Sequence, residues 1–320
     1  YSVLAMYLMP KASLLKMADQ AEINLDDVPR LEFSAPRNLG RDTTTLNSRL
    51  TREYVAPPAV EDGDPEQDPT GHLALFLAHG FRATRDREQG LIWVERALRK
   101  SPANPEARLL RARLLAEDGR SASAVDELLK VIPAPVWILH DAVAVAKSLE
   151  AEDAIAVLRL IRQRDPHLTE ARVALADALY RGGHYGQAEG EYREVQRDRS
   201  SDPQVSFGLG RALLAQDVYD KALAALDQAA RLGEKSGEFQ AARGGALMGL
   251  GRYPEAVTSY RLALRSNVED VTWRLNLGLA LAQLGPAERQ EAEERFREVL
   301  AMDSTNTRAW VELQKLGKRF

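Results

Sequence analysis

Between Thr169 and Gln196 the apolar positions recur at helical spacing in two runs. The first holds Val173, Leu175, Ala176 and Leu179, the second Ala188, Tyr192 and Val195, and Gly182-Gly183 lies between them. This pattern predicts two helices joined by a tight turn. The same events return 34 residues later as Leu209, Leu213, Tyr219, Ala222, Leu226 and Ala229. They return again as Gly244, Leu247, Gly251, Tyr253, Ala256, Tyr260 and Ala263. Seven small residues mark one point of the pattern: Gly90, Ala124, Ala154, Ala188, Ala222, Ala256 and Ala292, at successive spacings of 34, 30, 34, 34, 34 and 36. A period near 34 with two helices per unit means stacked helical hairpins, each too small to bury its own apolar face. The expected fold is all-α, with about seven such hairpins. Residues from Thr307 onward, with Trp310, Leu313 and Leu316 on one stripe, form a capping helix over the last hairpin.

Two steps depart from the period. The 30-residue step contains Ile132-Pro133-Ala134-Pro135, so one helix is expected to be cut short, with a kink or register change there. The 36-residue step contains Gly285-Pro286-Ala287-Glu288-Arg289, which is expected to lengthen the turn between paired helices by two residues relative to Gly251-Arg252-Tyr253. Ala or Gly at a helix crossing allows close approach, near the short end of the usual interaxial distance of roughly 8–10 Å.

Residues 71–320 resemble tetratricopeptide repeats. Leu209-Gly210 and Leu277-Gly278 supply the close-packing pair, and Asp165-Pro166, Asp202-Pro203 and Ser101-Pro102 end units where a helix must stop. Arg172, Ser206, Gln240 and Arg274 stand where the family favours Trp, and Trp310 is the best match to that position. The resemblance implies a right-handed solenoid whose first helices line a concave groove. By the family's spacing the groove presents Val173, Asp177, Tyr180, Phe207, Arg211, Leu214, Met248, Leu275 and Leu279. Members that clamp a peptide carboxylate use Lys and Asn here. Val173, Phe207 and Leu275 occupy the positions of such Lys residues, which argues against a clamp for chaperone tails. The mixture suits a partner protein or peptide with an apolar helix or extended segment, oriented by Arg211 and Asp177. Equally, several of these side chains could simply pack between neighbouring units.

The first 70 residues follow another pattern. Tyr1 to Met9 is apolar, Pro10 follows, and Leu14, Leu15 and Met17 form a short amphipathic stretch. The chain starts inside this run without Met, so it is expected to be a piece of a longer polypeptide truncated at its N-terminal side. The nine residues are too few to span a bilayer, which takes about 20. Residues 41–70 read as a linker. Asp42 to Tyr54 is a candidate short helix ended by Ala56-Pro57-Pro58-Ala59, and Glu61, Asp62, Asp64, Glu66 and Asp68 form an acidic spacer. Pro65 interrupts any calcium loop in that spacer, and no bidentate Glu follows.

Within residues 1–40, the stretch Ile23 to Leu39 resembles the closing motif of bacterial membrane-fused spermidine synthase-like proteins. It carries Asn24-Leu25-Asp26-Asp27-Val28-Pro29-Arg30-Leu31-Glu32-Phe33 and Pro36-Arg37, with Leu25 where that motif has Thr. The resemblance implies a methyltransferase-like domain upstream that binds a decarboxylated S-adenosylmethionine type of donor and transfers an aminopropyl group. It would make this chain the accessory tail of a membrane-bound enzyme. Asp26, Asp27 and Glu32 could then pair with the ammonium groups of a polyamine. Alternatively, Asp26 and Asp27 form a turn before Pro29, and Glu32 lies on a sheet-closing strand.

Composition narrows the remaining chemistry. The net charge of −4 and pI near 5.9 argue against a nucleic-acid surface. The absence of cysteine excludes disulfides, thiolate metal sites and a cysteine nucleophile. His72, His79, His140, His167 and His184 are dispersed, and only His72 and His79, two helical turns apart, could share a face. Gly208-Leu209-Gly210 and Gly244-Gly245 fall inside repeat helices rather than after a strand, so helix packing explains them. No catalytic, metal or cofactor constellation is expected in this chain. The leading expectation is a protein-interaction scaffold. The alternatives are the enzyme's accessory tail and a self-assembly module in which the apolar groove accepts a second copy. The expected compartment is the cytoplasm, at the membrane if the parent polypeptide carries spans.

Overall fold

The computed structural model describes residues 71–133, 135–198 and 201–317. The candidate residues Asp26, Asp27 and Glu32, the 1–40 and 41–70 segments and the acidic spacer lie outside the described residues. Those described form fifteen α-helices, one 3₁₀ turn and no strand, the all-α hairpin array that the 34-residue period implies. Contacts divide the chain into two units, Tyr1–Ile138 and Leu139–Phe320. The division falls just after Pro133 and Pro135.

The first unit contains two hairpins, α1 (His72–Ala83) with α2 (Arg87–Lys100) and α3 (Pro105–Glu117) with α4 (Ser121–Val131), followed by the 3₁₀ turn Val136–Ile138. Asp86 and Asn104 accept backbone N–H groups at the starts of α2 and α3, and Pro105 occupies the first turn of α3, where a missing N–H costs nothing. Leu75, Ala78, Val94, Ala97, Leu110 and Leu114 fill the core. The carboxylate of Glu127 is buried, yet it accepts hydrogen bonds from Arg108 at 3.1 Å, Arg111 at 3.4 Å and Lys130 at 2.8 Å. Arg82 joins the two hairpins through Glu117 at 2.8 and 2.9 Å.

The second unit holds five hairpins and a last helix. They are α5 (Leu139–Ala146) with α6 (Ala151–Arg164), α7 (Thr169–Arg181) with α8 (Tyr185–Asp198), α9 (Pro203–Leu214) with α10 (Tyr219–Arg231), α11 (Gly237–Gly249) with α12 (Tyr253–Ser266), and α13 (Val271–Leu284) with α14 (Arg289–Met302). The last helix is α15 (Thr307–Gly317). The four residues missing from the 30-residue step come out of α5, which has 8 residues where other first helices have 12 to 14.

The seven marker residues are all buried, each in the second helix of its hairpin. One turn further on, Val94, Leu128, Leu158, Tyr192, Leu226, Tyr260 and Phe296 form a second buried series. Opposite them, on the first helices, Ala78, Ala112, Ala142, Ala176, Gly210, Gly244 and Gly278 are buried as well. A Cβ on Gly210 would lie 2.6 Å from Leu226 Cγ, and one on Gly278 2.8 Å from Phe296 Cε1. Each hairpin therefore closes by setting a large side chain against a small one, and the helices can approach only because the small residue is there.

The turns within hairpins also repeat. Five residues before the marker, Arg85, Gly119, Gly183, Asp217 and Gly251 have φ between 59° and 78°. In each case the following N–H bonds back to a carbonyl five residues earlier, as in His184 to Leu179 and Arg252 to Leu247. This left-handed helix ending favours glycine.

Three expectations are corrected in detail. The two extra residues of the 36-residue step do not both enter the turn: α13 is one residue longer than α11, and the connection takes the other. Trp310 is not on the stripe that covers the last hairpin. Ala309 and Leu316 are buried there, whereas Trp310 is 50% exposed, one residue further round the helix. Arg172 and Arg274, in the positions favoured by Trp, reach carboxylates of the second helices instead, Asp198 at 3.7 Å and Glu298 at 3.1 Å.

At the entry to α11, the buried carboxylate of Glu234 accepts from the backbone N–H groups of Lys235 at 3.1 Å and Ser236 at 2.9 Å, and from the Gln204 amide of α9 at 2.5 Å. Burial alone would raise its pKa. The hydrogen bonds from Ser236, Lys235 and Gln204 outweigh that and hold it below the ordinary value. A depressed folded-state pKa contributes stability above the unfolded value and loses it as pH falls through the folded one. Wild type is therefore expected to lose more stability than Glu234→Gln between neutral pH and about pH 3, by roughly 1 kcal/mol or more, in chemical unfolding followed by circular dichroism. Parallel losses in the two proteins would contradict this role for the carboxylate.

Candidate peptide-binding face

Helices α7, α9, α11 and α13 pack side by side as the first members of successive hairpins, so their outward positions form one face within the second unit. Val173, Tyr180, Leu214, Met248 and Leu275 are half-buried on it, and Asp177 is exposed. Phe207 and Leu279 are 6% and 8% exposed, so these two pack between hairpins and are not offered to a partner. Phe207 meets Phe239 of α11 edge-on, with centroids 6.1 Å apart and planes at 73°. Helical spacing puts Phe207 on the right side of α9, but the aromatic one hairpin later covers it.

Arg211 lies at the middle of this face. Its guanidinium carbon sits 4.3 Å from the Tyr180 ring centroid and 5.2 Å from that of Phe207. Stacking of this kind holds the planar group in place. Its ion-pair neighbour is Glu238 at 3.8 Å rather than Asp177. Asp177 accepts a hydrogen bond from the buried Tyr192 hydroxyl of α8. Burial, followed by the Asp177 carboxylate, pushes that phenol's pKa well up. Asp177 thus anchors the second helix of its own hairpin and is only half of the orienting pair that the sequence suggests. Tyr180 is flanked on its other side by Tyr185, with ring centroids 5.4 Å apart.

The face is uneven. Ala241 and Gly245 of α11 stand 34 residues after Phe207 and Arg211, both half-buried, so no side chain beyond a methyl group rises there. A Cβ on Gly245 would lie 3.3 Å from Leu214, which makes Leu214 the near wall of this low ground.

A polar cleft of about 500 Å³ adjoins the face at the start of α7, lined by His140, Lys147, His167, Glu170, Val173 and Asp202 among others. Glu170 faces His140 Nδ1 at 3.2 Å and accepts from Lys147 at 3.3 Å. Burial would raise its pKa, but these contacts hold it below the ordinary value. Of this group the sequence pointed only to Val173. The partners of Glu170 lie 30 and 23 residues away, and no local motif links them.

Other candidate chemistry finds no support. His72 and His79 are both exposed on α1, and the described residues contain no group of three or more metal-ligating side chains. Gly208 and Gly210 lie within α9, and Gly244 and Gly245 within α11. Among the described residues no helix is long and apolar enough to cross a membrane.

Stacked hairpins with small residues at every crossing and an open first-helix face define a helical-repeat binding protein. The tetratricopeptide repeat family model matches residues 77–135, 173–237 and 241–289, more than half of the chain, and the chain belongs to this family. Among solved structures it is similar to a tetratricopeptide repeat protein from Parabacteroides merdae, at 16% identity and a TM-score of 0.54, over 77% of this chain and 98% of that one. It is also similar to MamA from Desulfovibrio magneticus, at 17% identity and a TM-score of 0.47, over 53% and 96%. A third is YrrB, described as a tetratricopeptide repeat protein with an unusual peptide-binding site, at 17% identity and a TM-score of 0.45, over 69% and 97%. No curated protein matches the chain.

Proposed function

We propose that the chain is a non-enzymatic binding scaffold, with residues 71–320 as its repeat domain, and that the α7–α13 face seats an apolar segment of a partner protein or peptide. The observation that carries this reading is the row Val173, Tyr180, Leu214, Met248 and Leu275, left half-exposed on helices whose other large apolar side chains are mostly buried. Apolar surface grouped on one face marks an interaction site more often than scattered single residues do. An amphipathic helix or an extended strand laid across it would bury that surface.

The test selects peptides from a displayed random library on the full chain and measures their affinity for wild type and for the Tyr180→Ala, Leu214→Asp double variant. A loss of about tenfold or more is expected if these side chains are anchors. Undiminished binding by a folded variant removes the face from the account. Mass that rises with protein concentration and falls back in the same variant would instead assign the face to a second copy of the chain.

The accessory-tail reading rests on residues 23–39 alone, with Asp26, Asp27 and Glu32 on the polyamine side, and the repeat matches begin at residue 77. It is compatible with a scaffold and would place the chain at the cytoplasmic side of a membrane. It requires a Gly-rich nucleotide-binding strand and hydrophobic spans in the coding sequence before Tyr1. Their absence there would end this reading.

A further inference from the structure

The arginines near the first-helix face differ in how they are satisfied. Arg181 donates to the carbonyls of Leu149 and Lys147, at 3.1 and 3.4 Å. Arg243 donates to Asp227 at 3.2 Å and Ser259 at 3.3 Å. Arg172 has Asp198. Arg211 is the exception. Its side chain is only 28% exposed, its Nε is buried without a partner, and its ion-pair neighbour among the described residues, Glu238, is 3.8 Å away and 71% exposed. A guanidinium carries five donors and cannot shed its charge. Holding it largely out of water with those donors unused is unfavourable. Tyr180 and Phe207 nonetheless fix it there from one side.

We infer, on the basis of the binding face proposed above, that Arg211 receives an acidic side chain from within the bound segment, so that the partner carries an internal Asp or Glu flanked by apolar residues. Charge complementarity selects the carboxylate, whose two oxygens match the guanidinium fork. The surroundings select an internal position. Leu214 lies one turn along α9, Tyr180 is on α7, and the low ground of Ala241 and Gly245 with Met248 beyond it is on α11. Apolar contacts are therefore available on both sides of the charge, and a chain that ended at Arg211 would use only one. Glu238 occupies the role in the free protein, loosely and from solvent, and the partner's carboxylate displaces it.

The experiment uses peptides selected on the full chain from the displayed random library. Each is synthesised with its acidic residue, with the matching amide in its place, and with an amidated C-terminus. Affinities are measured for wild type, Arg211→Met and Glu238→Gln. The selected peptides should share an Asp or Glu between apolar residues. Changing it to the amide should weaken binding to wild type about 10- to 100-fold and leave binding to Arg211→Met nearly unchanged. Amidating the terminus should have no effect, and Glu238→Gln, an exposed change that leaves packing intact, should tighten binding severalfold. If Arg211→Met fails to fold, the Glu238→Gln result decides, and an unchanged affinity overturns the inference. Selected peptides with no shared acid, an acid that counts equally in both backgrounds, or dependence on a free C-terminus each overturn it while leaving the apolar face in place. Failure to select any peptide that depends on Leu214 overturns both.

Discussion

Gly208→Val is expected to destabilise the second unit by about 3 kcal/mol or more, because overpacking a filled core forces neighbours off their preferred positions. A Cβ on Gly208 would lie 2.4 Å from Tyr192 Cζ, 2.5 Å from Cε1 and 2.7 Å from the hydroxyl. The ring cannot give way easily. Tyr192 is 1% exposed, and its hydroxyl is tied to Asp177. The conflict is particular to this junction. The equivalent positions in other hairpins hold Leu128, Leu158 and Leu226, whereas Tyr192 reaches across to α9 and needs a glycine opposite. Tyr192→Leu should therefore relieve part of the damage in the double variant, giving a coupling well above the roughly 0.5 kcal/mol seen between independent sites. Additive effects in chemical unfolding would show that Gly208 matters for some other reason.

Phe239→Ala is expected to cost about 3–5 kcal/mol, the range for removing a large aromatic from a closed core. Phe239 is 1% exposed and supports the Phe207 ring. In a repeat array each hairpin is held mainly by its neighbours. The loss should therefore appear as early unfolding around α9–α12, seen as raised amide exchange there before the rest of the unit opens. A shift below about 1 kcal/mol would mean that the site collapses around the cavity.

The repeat was legible because it is written in residue size. Gly90, Ala124 and their successors are small where two helices cross, and a crossing tolerates little else. The proline interruption at 133 and 135 marks a shortened helix for an equally local reason, the loss of a donor and the restriction on the preceding residue. The face was only partly legible. Spacing places Phe207 and Leu279 beside Val173 and Leu275 on their helices, but whether the next hairpin covers them depends on side chains 32 or more residues away, such as Phe239. For the same reason the sequence could not show that Asp177 turns to Tyr192, that Arg211 stacks on Tyr180, or that Lys147 and His140 converge on Glu170. Arg172 and Arg274 register in sequence as departures from the family pattern. Their use of Asp198 and Glu298 needs the fold.

The account's central claim is that the first-helix face of residues 139–320 is where a partner segment sits. Amide hydrogen exchange of the full chain with and without a library-selected peptide tests it most directly. The account predicts slowed exchange in α7, α9 and α11, with α8, α10 and α12 much less affected. Protection centred on the second helices, or none within residues 139–320, would contradict it.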